Sequence, residues 1–461
     1  MSGLLGSLSA AARALEAQRF GLEVTGQNIA NVNTAGYTRR EAHFAAVPGV
    51  TPLSPGNGVE IVGARATRDA RLEVRLQQER PAEQREAALA EALKIVETAV
   101  GLPGSSIDAS LSQFFDAMGR LASDPTSAVA RQEVLSQSAD LAADFRDMSG
   151  RLDLARRDAD AGIRAGVDQV NGLVERIASL NNSLSKVPPD GSQSMHLRDE
   201  LGLALKELSS LIDIDTIPRP DGGMDVAFGN GRPLVVGPYE YKLAVTSTPP
   251  LGQAAISSAQ GFPVTTEITG GRIGGLLHAR DTLIPGYVAE LDTLAYSVAT
   301  EVNTLHSAGY DLSGAPGSNL FVPPAAVAGA ARAMAVDAAI AGDPSRVAAA
   351  ASTSSGDNSN ARAMAALRDA RVMAGGTATL ADAWGRLVYQ VGSDSRAAQN
   401  EQRSRGEIVR QIELLREQVS GVSLDEEAML MMKFQRAYEA NARYFQAVDR
   451  ALDTLIQALG R

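Results

Sequence analysis

A mainly α-helical fold with an inserted all-β module follows from three features of this 461-residue sequence. Aromatics make up only 4%, with a single tryptophan, while alanine, leucine, glutamate, glutamine and arginine crowd most of the length, which favours helices over a large sandwich. β-Branched runs broken by tight-turn residues are confined to one stretch, about 212–275. Both ends carry apolar residues at alternating spacings of four and three, the pattern of helical zipper strands.

The elements follow in chain order. Leu4, Leu8, Ala11, Leu15, Gln18, Leu22, Thr25 and Ile29 set a first helix over about 1–30, and Asn28, Asn31, Asn33, Thr34 and Gly36 form a turn-forming cluster that ends it. Extended pieces run to about Gly63. Helix resumes near Arg68, continues through 81–100 and 107–122, and fills about 125–186, where Asp124 and Pro125 read as cap and first-turn proline. In 212–275 the short runs are punctuated by Pro-Asp-Gly-Gly, Gly-Asn-Gly and Gly-Pro, so Asp221, Gly222, Asn230 and Gly231 read as hairpin tips. Helix returns over 276–306, a Gly/Pro/Ala-rich stretch covers 309–356, and further helices fill 361–418. Ser420, Gly421 and Val422 separate these from a terminal helix with the row Leu424, Ala428, Met431, Gln435, Tyr438, Ala442, Phe445, Asp449, Leu452, Ile456 and Leu459.

The order is nested, which pairs the first segment with the last. Three units are expected: a terminal coiled coil from 1–35 and 422–461, a long helical bundle from 36–211, 276–310 and 361–421, and a mainly-β unit at the outer end from 212–275 and 311–360.

Composition excludes several functions. A formal charge of −11 repels nucleic acid and anionic membrane surfaces, and no run of eighteen apolar residues exists to span a bilayer. With no cysteine there are no disulfides, thiolate metal sites or cysteine nucleophiles. Gly6, Ser7 and Ser9 interrupt the leading leucines, so a cleavable signal is not expected. Catalytic patterns are missing as well. His43, His196, His278 and His306 fall in separate segments without ligand spacing and read as scattered surface residues. Residues 270–275, Gly-Gly-Arg-Ile-Gly-Gly, lack the order of a phosphate loop and read as a flexible entry to the helix at Leu276. Asp425, Glu426 and Glu427 sit in the first turn after Ser423 and read as a capping box. Neither a catalytic centre nor a cofactor is expected.

A stripe at helical spacing is also the signature of an ordinary core face. Two features favour association: both stripes reach the chain termini, and the last helix has a second row, Leu430, Phe434, Ala437, Tyr444, Val448, Ala451 and Leu455, wider than one partner helix covers. Because isolated helices of this size are marginal in water, the ends are expected to be largely unfolded in a free monomer and to order on assembly.

The run Gly26-Gln27-Asn28-Ile29-Ala30-Asn31-Val32-Asn33-Thr34-Ala35-Gly36-Tyr37-Thr38-Arg39 resembles the N-terminal signature of flagellar rod, hook and hook-associated proteins. Ser423-Leu424-Asp425-Glu426-Glu427, Gln435-Arg436-Ala437-Tyr438 and Asp453-Thr454-Leu455 resemble the matching C-terminal region. Interior segments, including 270–276, Arg280-Asp281 and Gly309-Tyr310-Asp311-Leu312, are similar to the family's hook–filament junction members. Ala35, where proline is usual, and Arg40, where glutamine is common, depart from the pattern, as do Asn441 and Phe445 in the last helix.

The resemblance implies a secreted structural adaptor that forms a homo-oligomeric helical ring through its terminal helices. Its implied partners are further copies of itself, hook protein below, hook-associated protein 3 above, and a flagellar export chaperone at the C-terminal helix. It implies an extracellular location on the flagellum, reached by type III export without cleavage. The implied assembly surface comprises Leu4, Leu8, Leu15, Leu22 and Ile29 on the first helix and Asn31, Asn33, Thr34, Gly36 and Tyr37 after it. On the last helix it comprises Leu424, Met431, Phe434, Tyr438, Phe445, Leu452, Leu455, Ile456 and Leu459. The alternatives are a hook or distal-rod protein of the same family, and a secreted hydrolase or adhesin using flagellar export ends.

Overall fold

The computed structural model describes residues 2–48, 56–101, 106–189, 191–248, 252–354 and 356–459, with the side chains of Ser2, Gly3, Thr248 and Leu459 outside that description. Its backbone is α4 (Ala128–Leu184), a helix of 57 residues, which at about 1.5 Å per residue is roughly 85 Å long. Ser127, not the Asp124 and Pro125 pair, caps it: the Ser127 hydroxyl accepts from the Ala130 N–H, and Pro125 lies in the turn before. The apolar positions of α4 recur along one stripe, Val134, Leu141, Phe145, Leu152, Ile163, Val170, Val174 and Ile177, all fully buried.

Around that stripe pack α3 (Ile107–Ser123), α5 (Ser192–Leu211), α6 (Gly271–His278) and α7 (Ile284–Ala308), joined by a π-helical turn over Ala279–Leu283. The glycines before Leu276 are not a flexible entry. The helix starts at Gly271, and Gly274 and Gly275 let it lie directly on the Thr269 and Arg85 backbones, where a Cβ would collide. α2 (Ala70–Val100) and α11 (Leu380–Ser420) run antiparallel: Leu76 meets Val409 and Ile412, and at the other end Glu97 accepts from Ser395 at 3.0 Å.

Strands β1 (Arg40–Ala46) and β2 (Val59–Ala66) form an antiparallel hairpin beside α1 (Ser2–Ala30). Strands β3 (Ile214–Pro218), β4 (Met224–Phe228), β5 (Arg232–Val236) and β6 (Tyr239–Glu240) form one sheet in sequence order, and β7 (Ala244–Thr248) and β8 (Gln253–Ser257) form another. Three side chains of α4 hold them along its C-terminal half: Asp160 accepts from the Ala254 N–H, Asn171 accepts from and donates to Leu243, and Asn181 bonds Met224 and Gly237.

Residues 311–360, grouped with these strands in the sequence reading, pack elsewhere. They carry α8 (Ala330–Ala333), α9 (Ala338–Ala341), the start of α10 (Ser359–Ala366) and isolated bridges, and they lie on α7 and the N-terminal half of α4. Buried polar side chains fasten them: Arg131 to the Pro125, Ser345 and Val347 carbonyls, Asn303 to Leu320 and Phe321, Asp292 to Gly329 and Ala331. His306 belongs to this set and is fully buried rather than on the surface. Its Nδ1 is 2.5 Å from the Ser318 carbonyl, and Nε2 accepts from the Ala348 N–H at 3.0 Å.

Candidate assembly interface

α1 and α12 (Leu424–Leu459) lie antiparallel, with residue 28 beside 427 and 21 beside 434. The most closely packed positions of α1 are small or polar: Ala11, Ala17, Gly21, Val24, Thr25 and Asn28. Ala17, Gly21, Val24 and Asn28 form a 4,3,4-spaced seam, one turn of the face away from the leucine row. Gly21 admits the Phe434 ring directly onto its backbone, leaving no room for a Cβ, and Phe44 of β1 meets the same ring edge-on at 6.3 Å. Small residues matter here because they set how closely two helix axes approach.

The sequence-derived residues divide by position. Leu4, Leu8, Leu15, Leu22 and Ile29 are half-buried along the flank of the seam, as are Met431, Phe434, Phe445, Leu452 and Leu455 on α12. Leu424, Tyr438 and Ile456 stay exposed at 52, 40 and 60%, joined by Met429, Met432 and Tyr444. The Leu459 side chain lies outside the described residues. Both apolar rows of α12 thus contribute half-buried residues, and large apolar side chains remain exposed around the rest of the helix.

The loop after α1 is closed on itself. Asn31 donates to the Gln27 carbonyl at 2.9 Å and accepts from the Thr34 hydroxyl at 3.1 Å, Gly36 takes φ +79°, and the Tyr37 N–H reaches the Thr34 carbonyl. Asn33, Thr34 and Gly36 are exposed, whereas Asn31 and Tyr37 are half-buried. The positive φ is why glycine suits position 36.

Beneath the loop sits a buried polar joint. Asn28, 1% exposed, donates to the Arg40 carbonyl and to the Glu427 carboxylate at 2.8 and 3.0 Å, and its carbonyl accepts from the Tyr37 hydroxyl and the Arg40 N–H. Glu427, also 1% exposed, accepts from Arg39 Nε at 2.8 Å, and Glu426 pairs with the same guanidinium at 3.0 Å. These carboxylates therefore hold Arg39 instead of closing a capping box. Asp199 of α5 bridges Arg40 and Arg68, tying the hairpin to the helical body. Arg40 also lies 5.0 Å over the Tyr37 ring. Burial pushes the Tyr37 phenol above its ordinary value, with Asp199 and Glu427 adding to the effect and Arg40 opposing it.

The spacing rules missed Asn28, Arg39, Arg40, Arg68, Asp199 and Glu427 as a unit. Asn28 reads as a turn-former and Glu427 as a first-turn carboxylate; only their juxtaposition across the chain reveals the joint. Among the described residues no cluster of histidines and carboxylates could hold a metal ion, and no helix is long and apolar enough to cross a membrane.

Three family models match the chain. The flagellar hook-associated protein FlgK helical domain matches residues 93–321, the flagellar basal body rod FlgEFG protein C-terminal region matches 417–458, and the flagella basal body rod protein model matches 8–38. The two end matches fall on α12 and α1, and the first covers the long bundle with its strands. Flagellar hook-associated protein 1 of Bacillus subtilis is 25% identical, covering 100% of this chain and 99% of that protein. The Escherichia coli protein of the same name is 24% identical, covering 96% and 97%. The fold is similar to the flagellar hook junction protein FlgK from Burkholderia pseudomallei, with a TM-score of 0.67, 18% identity, and coverage of 75% of this chain and 100% of that one. These relatives are structural proteins and not enzymes. The paired end signatures, the hook-associated helical domain between them and the relatives that align along nearly the whole chain together mean that the chain, similar throughout to hook-associated protein 1, is a structural component of the flagellum at the hook–filament junction.

Proposed function

We propose that the terminal helix pair is the polymerising element of this junction component and that the polar joint fixes the angle at which the pair leaves the body. The carrying observation is the set of large apolar side chains that α12 leaves exposed, Leu424, Met432, Tyr438 and Ile456 among them, while Met431, Phe434, Phe445 and Leu452 are half-buried on the helix that packs on α1. Burying each such side chain is worth about 1.5–3 kcal/mol. A row of them on one helix favours covering by the same helices of neighbouring copies, so the residues proposed for the assembly surface are those on α1, its loop and α12.

The outcome is a homo-oligomeric ring set between hook protein and hook-associated protein 3, outside the cell. The chain would travel uncleaved through the flagellar type III apparatus, its exposed α12 row held by an export chaperone. The decisive experiment is complementation of a deletion strain. The deletion is expected to leave hooks without filaments while filament subunit appears in the medium. A Met432→Glu, Tyr438→Glu, Ile456→Glu chain is expected to be exported yet fail to restore filaments. Normal filaments with that variant would overturn the proposal.

A further inference from the structure

Ten of the eleven methionines lie among the described residues, and burial divides them unevenly. Six, Met118, Met148 and Met364 among them, are buried, and Met224 and Met431 are half-buried. Met429 and Met432 are exposed at 60 and 52%. The two most accessible thioethers of the described residues therefore stand three residues apart on one helix, α12.

Their place on that helix is specific. Glu427 and Phe434 meet Asn28 and Gly21 of α1. Met429 follows Glu427 by two residues and Met432 precedes Phe434 by two, which on a helix of about 3.6 residues per turn puts each nearly opposite the α1 contact. Both sit on the side of α12 turned away from α1, among the exposed apolar side chains that the assembly reading has a neighbour cover.

Sulfur chemistry in this chain is confined to methionine, because there is no cysteine. The single tryptophan, Trp384, is 3% exposed and shielded from oxidants. A thioether is oxidised where it can be reached, and its sulfoxide is polar where the parent was apolar.

We propose that Met429 and Met432 form a paired oxidation site for a peroxide-class two-electron oxidant, and that their oxidation switches off the assembling side of α12. In each step a sulfur lone pair attacks one peroxide oxygen, and the S–O bond forms as the O–O bond breaks. The departing hydroxide takes the proton of the transferred hydroxyl and leaves as water, so sulfur loses the two electrons that peroxide gains. Two polar S=O groups about one turn apart then stand on apolar surface, and a helix covering them without donating hydrogen bonds bears their desolvation. Methionine sulfoxide reductases reverse the change, one enzyme for each epimer. The inference rests on the proposed assembly through α12.

Limited peroxide treatment of the purified full chain, followed by peptide mass mapping, tests the site. Met429 and Met432 are expected to gain oxygen about tenfold faster than the six buried methionines, and to lose it on treatment with the two reductases. Fraying of α12 in a free monomer only adds Met431 to the set. Rates at Met429 and Met432 no higher than at the buried six overturn the site.

Complementation of the deletion strain tests the switch. Met429→Gln with Met432→Gln, neutral and polar like the sulfoxide, is expected to be exported yet to restore severalfold fewer filaments than the wild-type chain. Met429→Leu with Met432→Leu, which keeps apolar volume, is expected to restore them fully. Full restoration by the glutamine pair, or failure of the leucine pair, overturns the switch. Where the glutamine pair restores filaments and the Met432→Glu, Tyr438→Glu, Ile456→Glu chain does not, the switch has failed and the α12 reading stands; where both restore them, both have failed.

Discussion

Asn28 and Glu427 stand 399 residues apart in sequence, yet the Asn28 amide donates to the Glu427 carboxylate at 3.0 Å with both side chains 1% exposed. That bond joins the last turn of α1 to the first turn of α12, and Arg39, Tyr37 and Arg40 close around it.

Replacing Glu427 with alanine removes the acceptor for Asn28 and Arg39 at once. The loss is expected to be about 1–3 kcal/mol, from donors left unsatisfied in a buried place. Amide exchange should speed up across α1 and α12 and remain unchanged in α4. Equal loss of protection in α4, or no change in either helix, would contradict a local joint.

Gly21→Val places two methyl groups where the Phe434 ring lies. Overpacking of this kind costs about 1–3 kcal/mol. The pair is expected to separate, seen as lost helical circular dichroism from the ends, and a Gly21→Val, Phe434→Ala chain should recover part of it. If the double variant is no better than Gly21→Val alone, the contact is not what seats the helices.

Protection should also be graded along the native monomer. The large core is built from α2 to α11 with strands that follow α5, while among the described residues α1 reaches a hydrophobic cluster only through Val24 and the half-buried Phe20, and no α12 residue joins any. Local stability follows buried apolar contact. Amides of α1 and α12 are therefore expected to exchange orders of magnitude faster than those of α4, and to slow in assembled material. Protection equal to that of α4 in the monomer would refute both the grading and the expectation of ends that order on assembly.

Acid should loosen residues 311–350 first. Burial holds the His306 imidazole below its ordinary value, the nearby Arg131 guanidinium adds to this, and the bond to Ser318 opposes it. A histidine with a depressed folded value binds fewer protons folded than unfolded, so its contribution is complete above about pH 6.5 and declines as pH falls from there toward the lower folded value. Protonated Nε2 can no longer accept from Ala348. Protection at Ala348 and its neighbours, taken relative to the intrinsic exchange rate at each pH, is expected to fall between pH 7 and 5, and His306→Gln should flatten that dependence. A pH-independent protection factor in the wild-type chain would sink the idea.

Much of the architecture is legible in the residues themselves, because it depends on local chemistry. The starch of turn-formers at 31–36, the helix-rich composition of 70–184 and the Asp-Gly and Asn-Gly tips near 221 and 230 each act within a few residues. Asp124 and Ser127 both carry the side-chain oxygen a cap needs, and it is Ser127, three residues beyond Asp124, that caps α4. The two apolar rows of α12 are visible by periodicity, but which of their residues meet α1 is not. Small residues at Ala17 and Gly21 decide it through axis distance, and they carry no apolar signal of their own.

By itself, the sequence determined the helical class, the strand-rich insertion, the absence of thiol chemistry and the two end signatures, all of which follow from residue type and short-range spacing. Tertiary structure alone decided that Asn28, Arg39, Arg40, Asp199 and Glu427 form one joint, that His306 is buried, and that 212–275 and 311–360 lie at different ends of α4. The reason is physical: burial and charge pairing depend on which distant segments meet, and a periodic pattern specifies a face without specifying its neighbour.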